Sequence, residues 1–185
     1  MKIIVGISGA TGAIYGIRIL EALKQAGVET HLIISSWAEK TISLETEYKI
    51  SDVISLADYH YSAKNQAARI SSGSFITDGM IIAPCSMKSL ASISYGFADN
   101  LISRVADVTL KEKRKLVLLP REAPLHEIHL ENMLRLSKMG ASIVPPMPAF
   151  YNHPQTIDDI VNHTVSRTLD QLSIENNFTK RWLEK

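Results

Sequence analysis

Apolar residues along this chain fall into two kinds of run, and the two kinds alternate. Ile3-Ile4-Val5, Leu32-Ile33-Ile34, Met80-Ile81-Ile82-Ala83 and Leu116-Val117-Leu118-Leu119 are short and unbroken by polar residues. Strands buried on both faces read this way. Between them lie longer stretches whose apolar residues recur three and four apart, the spacing of one helix face. The alternation predicts an α/β domain with a mostly parallel sheet under helices.

Turn and cap residues set the expected boundaries. Strands are predicted over Lys2–Ser8, Glu29–Ile34, Gly79–Ala83, Leu116–Leu119 and Ser142–Val144, with a short edge strand near Tyr59–Tyr61. Helices are predicted from Ala13 to Gln25, Trp37 to Glu45, Ser86 to Tyr95, Asn100 to Glu112, Glu127 to Lys138 and Thr156 to Leu172. Gly27 and Gly140 stop two of them, and Thr156-Ile157-Asp158-Asp159 fits a capping box. Leu130, Met133, Leu134 and Leu136 are expected in the core, and residues 70–75 in a loop. Residues 1–172 read as one domain, and 173–185 as a polar tail.

Composition narrows the classes. The 185 residues are 45% hydrophobic with net charge +1, enough for a full core and without the basic excess that nucleic acid demands. No apolar run approaches the length of a membrane span, and Gly9, Thr11, Gly12 and Arg18 break the N-terminal run that would otherwise resemble a signal peptide. The single cysteine, Cys85, excludes internal disulfides and a Cys-rich metal site, and a cytoplasmic protein is expected. Cys85 reads as core filling. The six histidines show no zinc spacing, so no metal site is expected.

Ligands of open parallel sheets bind beyond the carboxyl ends of the strands. Here those ends carry Ser8–Gly12, Ser35-Ser36, Pro84–Ser89, Pro120–Glu122 and Pro145–Tyr151. Gly9-Ala10-Thr11-Gly12 is a strand-to-helix turn suited to an anion, although it matches neither G-x-G-x-x-G nor a P-loop. Ser35-Ser36 stands where dinucleotide enzymes place a carboxylate, which disfavours a nicotinamide cofactor and favours a mononucleotide such as FMN. Ser86, Met87, Lys88 and Ser89 form a second turn able to meet a phosphate or flavin edge. Arg104 and Lys111 share a helix face, and Arg121-Glu122 pairs a cation with a proton carrier at a strand end. Each also has a purely structural reading: a tight turn, a helix cap, a solvated stripe, a salt bridge.

Longer motifs carry a family resemblance. GISGATGAIYG (6–16), SLET (43–46), ISSGSF (70–75), PCSMKSL (84–90), RVADVTLKE (104–112), PREAPLHEIHLENM (120–133) and PPMPAFYNHPQT (145–156) together span nearly the whole chain. With them the sequence resembles the UbiX-type flavin prenyltransferases, including members associated with phenolic-acid decarboxylases. The resemblance implies a Rossmann-like three-layer sandwich, commonly a homododecamer with pockets at subunit interfaces. It implies that reduced FMN accepts a dimethylallyl group from dimethylallyl monophosphate at N5 and C6, giving prenylated FMN for a partner decarboxylase. FMN is expected on Gly9, Ala10, Thr11, Ser35, Ser86, Met87, Lys88, Ser89 and Arg121. The prenyl phosphate is expected on Lys111, Arg121, Tyr151 and Arg167, with Ser74 nearby and Trp182 of the tail completing a neighbour's pocket. Glu45, Lys111, Arg104 and Glu122 match catalytic positions. Thr11 replaces a frequent family Ser, and Gln66 falls near a frequent pocket aromatic.

Two other readings stay open: an FMN-binding decarboxylase of aromatic acids, and a non-catalytic flavin-carrying subunit of one. The related cysteinyl decarboxylases use a catalytic His and a PASANT-like turn. PCSMKS stands in that place here, and no His matching the catalytic one is found after the first strand.

Overall fold

Each unbroken apolar run becomes a buried strand in the computed structural model, which describes residues 1–183. Glu184 and Lys185, the end of the tail expected over 173–185, lie outside the described residues. Six strands, β1 (Lys2–Ile7), β2 (Glu29–Ile34), β3 (Tyr59–Ser62), β4 (Gly79–Cys85), β5 (Lys115–Pro120) and β6 (Ser142–Ile143), form one sheet in the order β3-β2-β1-β4-β5-β6. Every pairing is parallel, so the sheet expected to be mostly parallel is wholly so among the described residues. The helices are α1 (Ala13–Gln25), α2 (Ser36–Glu45), α3 (Ile50–Ser55), α4 (Met87–Ser94), α5 (Leu101–Lys111), α6 (Glu127–Lys138) and α7 (Ile157–Asp170).

The strict period of two in the strands divides the core into two layers. Ile3, Val5, Leu32, Ile81, Val117 and Leu119 pack against Ile17 and Leu20 of α1, Ile42 of α2 and Val165 of α7. Ile4, Ile33, Met80, Ile82, Leu116 and Leu118 face the other way, onto Leu90 of α4, Val105 of α5 and Leu136 of α6. The result is the expected three-layer sandwich. Four helices begin on a side-chain cap: Ser35 accepts from Ala38 N at 3.1 Å, Ser86 from Ser89 N at 3.2 Å, Asn100 from Ile102 N at 2.9 Å and Thr156 from Asp159 N at 3.1 Å. Leu172 and Ile174 carry the start of the tail into the first core layer.

Three departures from the sequence reading have local causes. Helix α3 is absent from the periodicity, being six residues long with only Val53 fully buried. Strand β4 runs two residues further, to Cys85, with a register shift against β5 between Ile82 and Cys85. Leu130 and Leu134 were expected in the core, yet they are 52% and 55% exposed. They are four apart and share a stripe of α6 opposite the one that turns Asn132 and Leu136 inward.

Gly16 marks the closest approach of α1 to the sheet, since a Cβ there would run into the carbonyl oxygen of Ala83 and lie 3.0 Å from Ile7. Alanine is worth up to about 1 kcal/mol in helix propensity, while overpacking against backbone costs about 1–3 kcal/mol. Gly16→Ala is therefore expected to be net destabilising by about 1–2 kcal/mol. Its urea midpoint should fall with the slope unchanged, measured at one protein concentration. A midpoint at or above that of the parent would mean that the helix moves away without cost.

Candidate functional site

The strand order reverses at β1: the chain steps from β1 to β2 and β3, then returns to lay β4 on the other side of β1. Such a switch point opens a crevice beyond the carboxyl ends of the two central strands. Ser8, 2% exposed, stands at the end of β1. Its hydroxyl donates to Pro84 O at 2.8 Å and accepts from Ser86 N at 2.8 Å, pinning the two strand ends together. Above it lies a cleft of about 430 Å³, whose walls include Gly9, Ser35, Trp37, Ser86, Lys88 and Ser89. The volume is in the range of small-ligand pockets.

The cleft gathers five of the expected flavin-binding residues: Gly9, Ser35, Ser86, Lys88 and Ser89. Helices α2 and α4 both begin at it, so their first N–H groups and the cap hydroxyls of Ser35 and Ser86 face one space. Ser86 Oγ also donates to Ser89 Oγ at 3.1 Å. Lys88 is held 3.8 Å from Asp99 at the rim. Met87 turns its side chain into the second core layer, so only its backbone belongs to the turn. Ala10 and Thr11 are half-buried in the adjoining turn and do not line the cleft.

The Gly9–Gly12 turn differs from its sequence reading. Two N–H groups at its helix N-terminus are already taken by Glu45 of α2: its carboxylate accepts from Gly12 N at 2.8 Å and Ala13 N at 3.2 Å. Glycine at 12 has no side chain to cap α1, and Glu45 supplies the cap from another helix. Gly9 is required by a close approach, since a Cβ there would run into Cβ of Trp37. Trp37 itself, 67% exposed in the cleft wall with Lys40 Nζ 4.4 Å from its ring, escaped the sequence reading. Its signal was its position, one residue past the strand-end serines at the start of a helix. Asp99 and Asn100, which also line the cleft, carried no signal beyond a helix cap.

The expected phosphate-facing cations lie outside this cleft. Lys111 pairs with Glu112, whose carboxyl is held below its ordinary range by that hydrogen bond and charge. A Cβ on Gly73 would come 3.1 Å from Lys111 Nζ, so the 72–74 loop lies directly over it. Arg114 fixes this loop by donating to Gly73 O at 2.6 Å and Phe75 O at 2.9 Å, and Ser72 and Ser74 share a 2.8 Å hydrogen bond. Arg104 pairs with Asp107 at 3.0 Å. Arg121 follows β5 with its backbone N–H on Cys85 O at 3.2 Å, beside the Ser86 turn, and its side chain is exposed. Glu122 is exposed too and accepts from Ala123 N at 3.1 Å.

A second hollow of about 310 Å³ gathers Tyr151, Arg167 and Trp182 with His163, Ser166 and Lys180. It shares no lining residue with the cleft. Tyr151 packs edge-on against Trp182 at 5.2 Å. Arg167 pairs with Asp170 at 2.8 Å, and Arg181 of the tail reaches the same carboxylate at 2.9 Å. Among the described residues no three His, Cys, Asp or Glu side chains converge as a metal site would require. No described helix is long and apolar enough to cross a membrane.

Comparison with known proteins agrees along the whole length. The Flavoprotein family model matches residues 1–169. A probable UbiX-like flavin prenyltransferase of Bacillus subtilis (strain 168) is 63% identical over 182 residues, 98% of this chain and 89% of that protein. Among solved structures, a dodecameric FMN-dependent UbiX-like decarboxylase from Escherichia coli O157:H7 superposes with a TM-score of 0.97 at 60% identity, covering 100% of both chains. AnUbiX, solved in complex with FMN and dimethylallyl pyrophosphate, superposes at 0.98 with 52% identity, covering 100% of this chain and 98% of that one.

Cys85 lies under the Ser86 turn, fully buried. Burial pushes its thiol up to about 12. A raised folded-state value favours the neutral thiol, so this contribution to stability is whole below about pH 8.5, the ordinary cysteine value, and fades as pH climbs from there toward 12. The folded protein should leave Cys85 unlabelled by a thiol-disulfide reagent at pH 8, and guanidinium should release one thiol per chain. Rapid labelling of the folded protein would refute the core assignment.

Proposed function

The chain belongs to the UbiX-like flavin prenyltransferase family, and we propose that it joins the dimethylallyl group of a dimethylallyl phosphate ester to N5 and C6 of reduced FMN. The observation that carries this reading is the cleft at the switch point, where the cap hydroxyls and N–H groups of α2 and α4 face one space. That donor set suits the phosphate and hydroxylated chain of a mononucleotide. Ser35 in place of a ribose-binding carboxylate argues against a dinucleotide.

Bound there, reduced FMN supplies two nucleophilic ring positions. The protein's task is then to hold the donor and manage charge. Gly9, Ser35, Ser86, Lys88, Ser89 and the Arg121 guanidinium orient the flavin. Lys111, Arg121, Arg167 and Tyr151 stabilise the negative charge that grows on phosphate as the allylic C–O bond breaks. A dry pocket strengthens each of these contacts. Glu45 holds the glycine turn beside the flavin, Arg104 stands with it at a catalytic position of the family, and Glu122 takes up the proton that C6 gives up as the fourth ring closes. Ser74 adds a hydroxyl from the loop over Lys111.

Tyr151 and Arg167 share no cleft with Ser35 and Ser86 in one chain. A neighbouring copy therefore supplies them, with Trp182 and the 173–185 tail docking beside its cleft, in a homododecamer like that of the E. coli relative. The donor is read as the monophosphate, and the pyrophosphate bound by AnUbiX makes the diphosphate the first comparison. The product, prenylated FMN, serves a partner decarboxylase in the cytoplasm. The decarboxylase name of the E. coli relative keeps one rival concrete. Purified protein given FMN and an aromatic acid alone should release no carbon dioxide.

Incubation with reduced FMN and dimethylallyl monophosphate should add the mass of one five-carbon unit to the flavin, and recovery of unchanged FMN with both esters would overturn the reading. Glu122→Gln should keep FMN yet stall before the fourth ring closes; an unchanged product yield would remove Glu122 from the mechanism. Arg167→Ala should weaken the donor by roughly 10- to 100-fold, as loss of a charged hydrogen bond does, and leave FMN affinity near that of the parent. Equal losses of both ligands in titration would point to misfolding instead.

A further inference from the structure

Tyr151 is not held by its loop alone. Its hydroxyl lies 2.7 Å from Nε2 of His163, an imidazole on α7 that is only 7% exposed, and the two rings meet edge-on at 5.4 Å and 80°. Trp182 closes on the other side of the phenol, also edge-on at 84°. The phenol is thus clamped between two rings, with one hydrogen bond to fix its rotation. Arg167 and Ser166 follow on the same helix, and Lys180 approaches from the tail, so the hollow into which this hydroxyl opens is cationic.

We propose that His163 is a positioning residue for the donor phosphate: its Nε2–H donates to the Tyr151 oxygen and so directs the phenol proton outward to the anion. The inference rests on the reading of Tyr151 as a donor-binding group. A phenol oxygen can accept one hydrogen bond while its own proton serves another partner. Were Nε2 the acceptor, the phenol proton would be spent on the imidazole, and the oxygen would turn lone pairs toward an anion. An anion in the hollow therefore selects the tautomer with the proton on Nε2.

Charge supports the same arrangement. Burial, and then the charge of Arg167, lower the proton affinity of His163, while Asp170 acts weakly the other way. The charged groups about it are Arg167 and Asp170 on its own helix and Lys180 and Arg181 from the tail. The ring is a neutral donor rather than a further cation, so it adds direction without competing for phosphate as a charge.

The test is direct binding. Protein loaded with oxidised FMN, which cannot turn over, is titrated with dimethylallyl monophosphate and separately with inorganic phosphate. His163→Phe keeps the edge-on packing and removes the bond, and should weaken the ester by about 3- to 10-fold, the worth of one neutral hydrogen bond. His163→Gln, whose amide can still donate, should recover to within about 3-fold of the parent. In a Tyr151→Phe background, His163→Phe should have no further effect. If His163→Phe does not assemble, His163→Leu removes the same bond. A Tyr151→Phe variant that binds the ester like the parent defeats the reading of Tyr151. A weakened Tyr151→Phe beside an unaffected His163→Phe, or additive losses in the double variant, defeats the positioning role alone.

Discussion

The cleft depends on one buried hydroxyl. At the end of β4 the ladder to β5 slips between Ile82 and Cys85, and Pro84 has no N–H to give. Pro84 O and Ser86 N are left for some other partner, and buried backbone groups without partners are costly. Ser8 answers both with a single oxygen, and its own N–H adds a bond to Pro84 O at 3.2 Å. Because Ser86 then caps α4, the direction of that helix and the places of Ser86 and Ser89 follow from where Ser8 holds the strand end. The two halves of the sheet thus meet in a floor whose geometry is fixed before any ligand arrives.

Charge is arranged around that floor in two different ways. The α1 N-terminus, nearest the glycine turn, is neutralised from within by Glu45, which leaves the N-termini of α2 and α4 facing the cleft. Most of the cations, by contrast, are each leashed to a carboxylate close along the chain: Lys111 to Glu112, Arg104 to Asp107, Arg167 to Asp170. Exposed pairs of this kind are worth little to the fold. They keep the side chain extended in the right direction, and exchange of the carboxylate for a phosphate costs little stability. Arg121 has no ion-pair partner among the described residues and is placed by its backbone bond to Cys85.

Much of this was legible in the residues. Strands buried on both faces gave unbroken apolar runs, so β1, β2, β4 and β5 were found, and the caps Ser86 and Thr156 located two helix starts. Gly9, Ser35 and the Ser86–Ser89 turn stood at strand ends, where physics puts ligands. Features made by two distant segments were not legible. Glu45 as the cap of α1 pairs residues more than thirty apart, and nothing in either segment announces the other. Leu130 and Leu134 failed for the opposite reason: helical spacing says that two residues share a face, and is silent on which face meets the sheet. Trp37 was passed over because an aromatic early in a helix normally reads as packing.

The second hollow shows how far such long-range dependence extends. One wall is the loop at Tyr151, one is α7 and one is the tail, and no local pattern joins them. Asp170 does. Burial alone would raise its carboxyl, but the hydrogen bond and charge of Arg181, with the charge of Arg167, hold it below its ordinary range. A depressed value means that the clasp is intact above the ordinary carboxylate range and is lost only as pH falls through the lowered one. The same carboxylate thus anchors the tail that carries Trp182 and aims the guanidinium of Arg167. A tail pinned through a group that also orients a cation is more than a loose end: the wall that carries Trp182 and the guanidinium beside it are placed by one carboxylate.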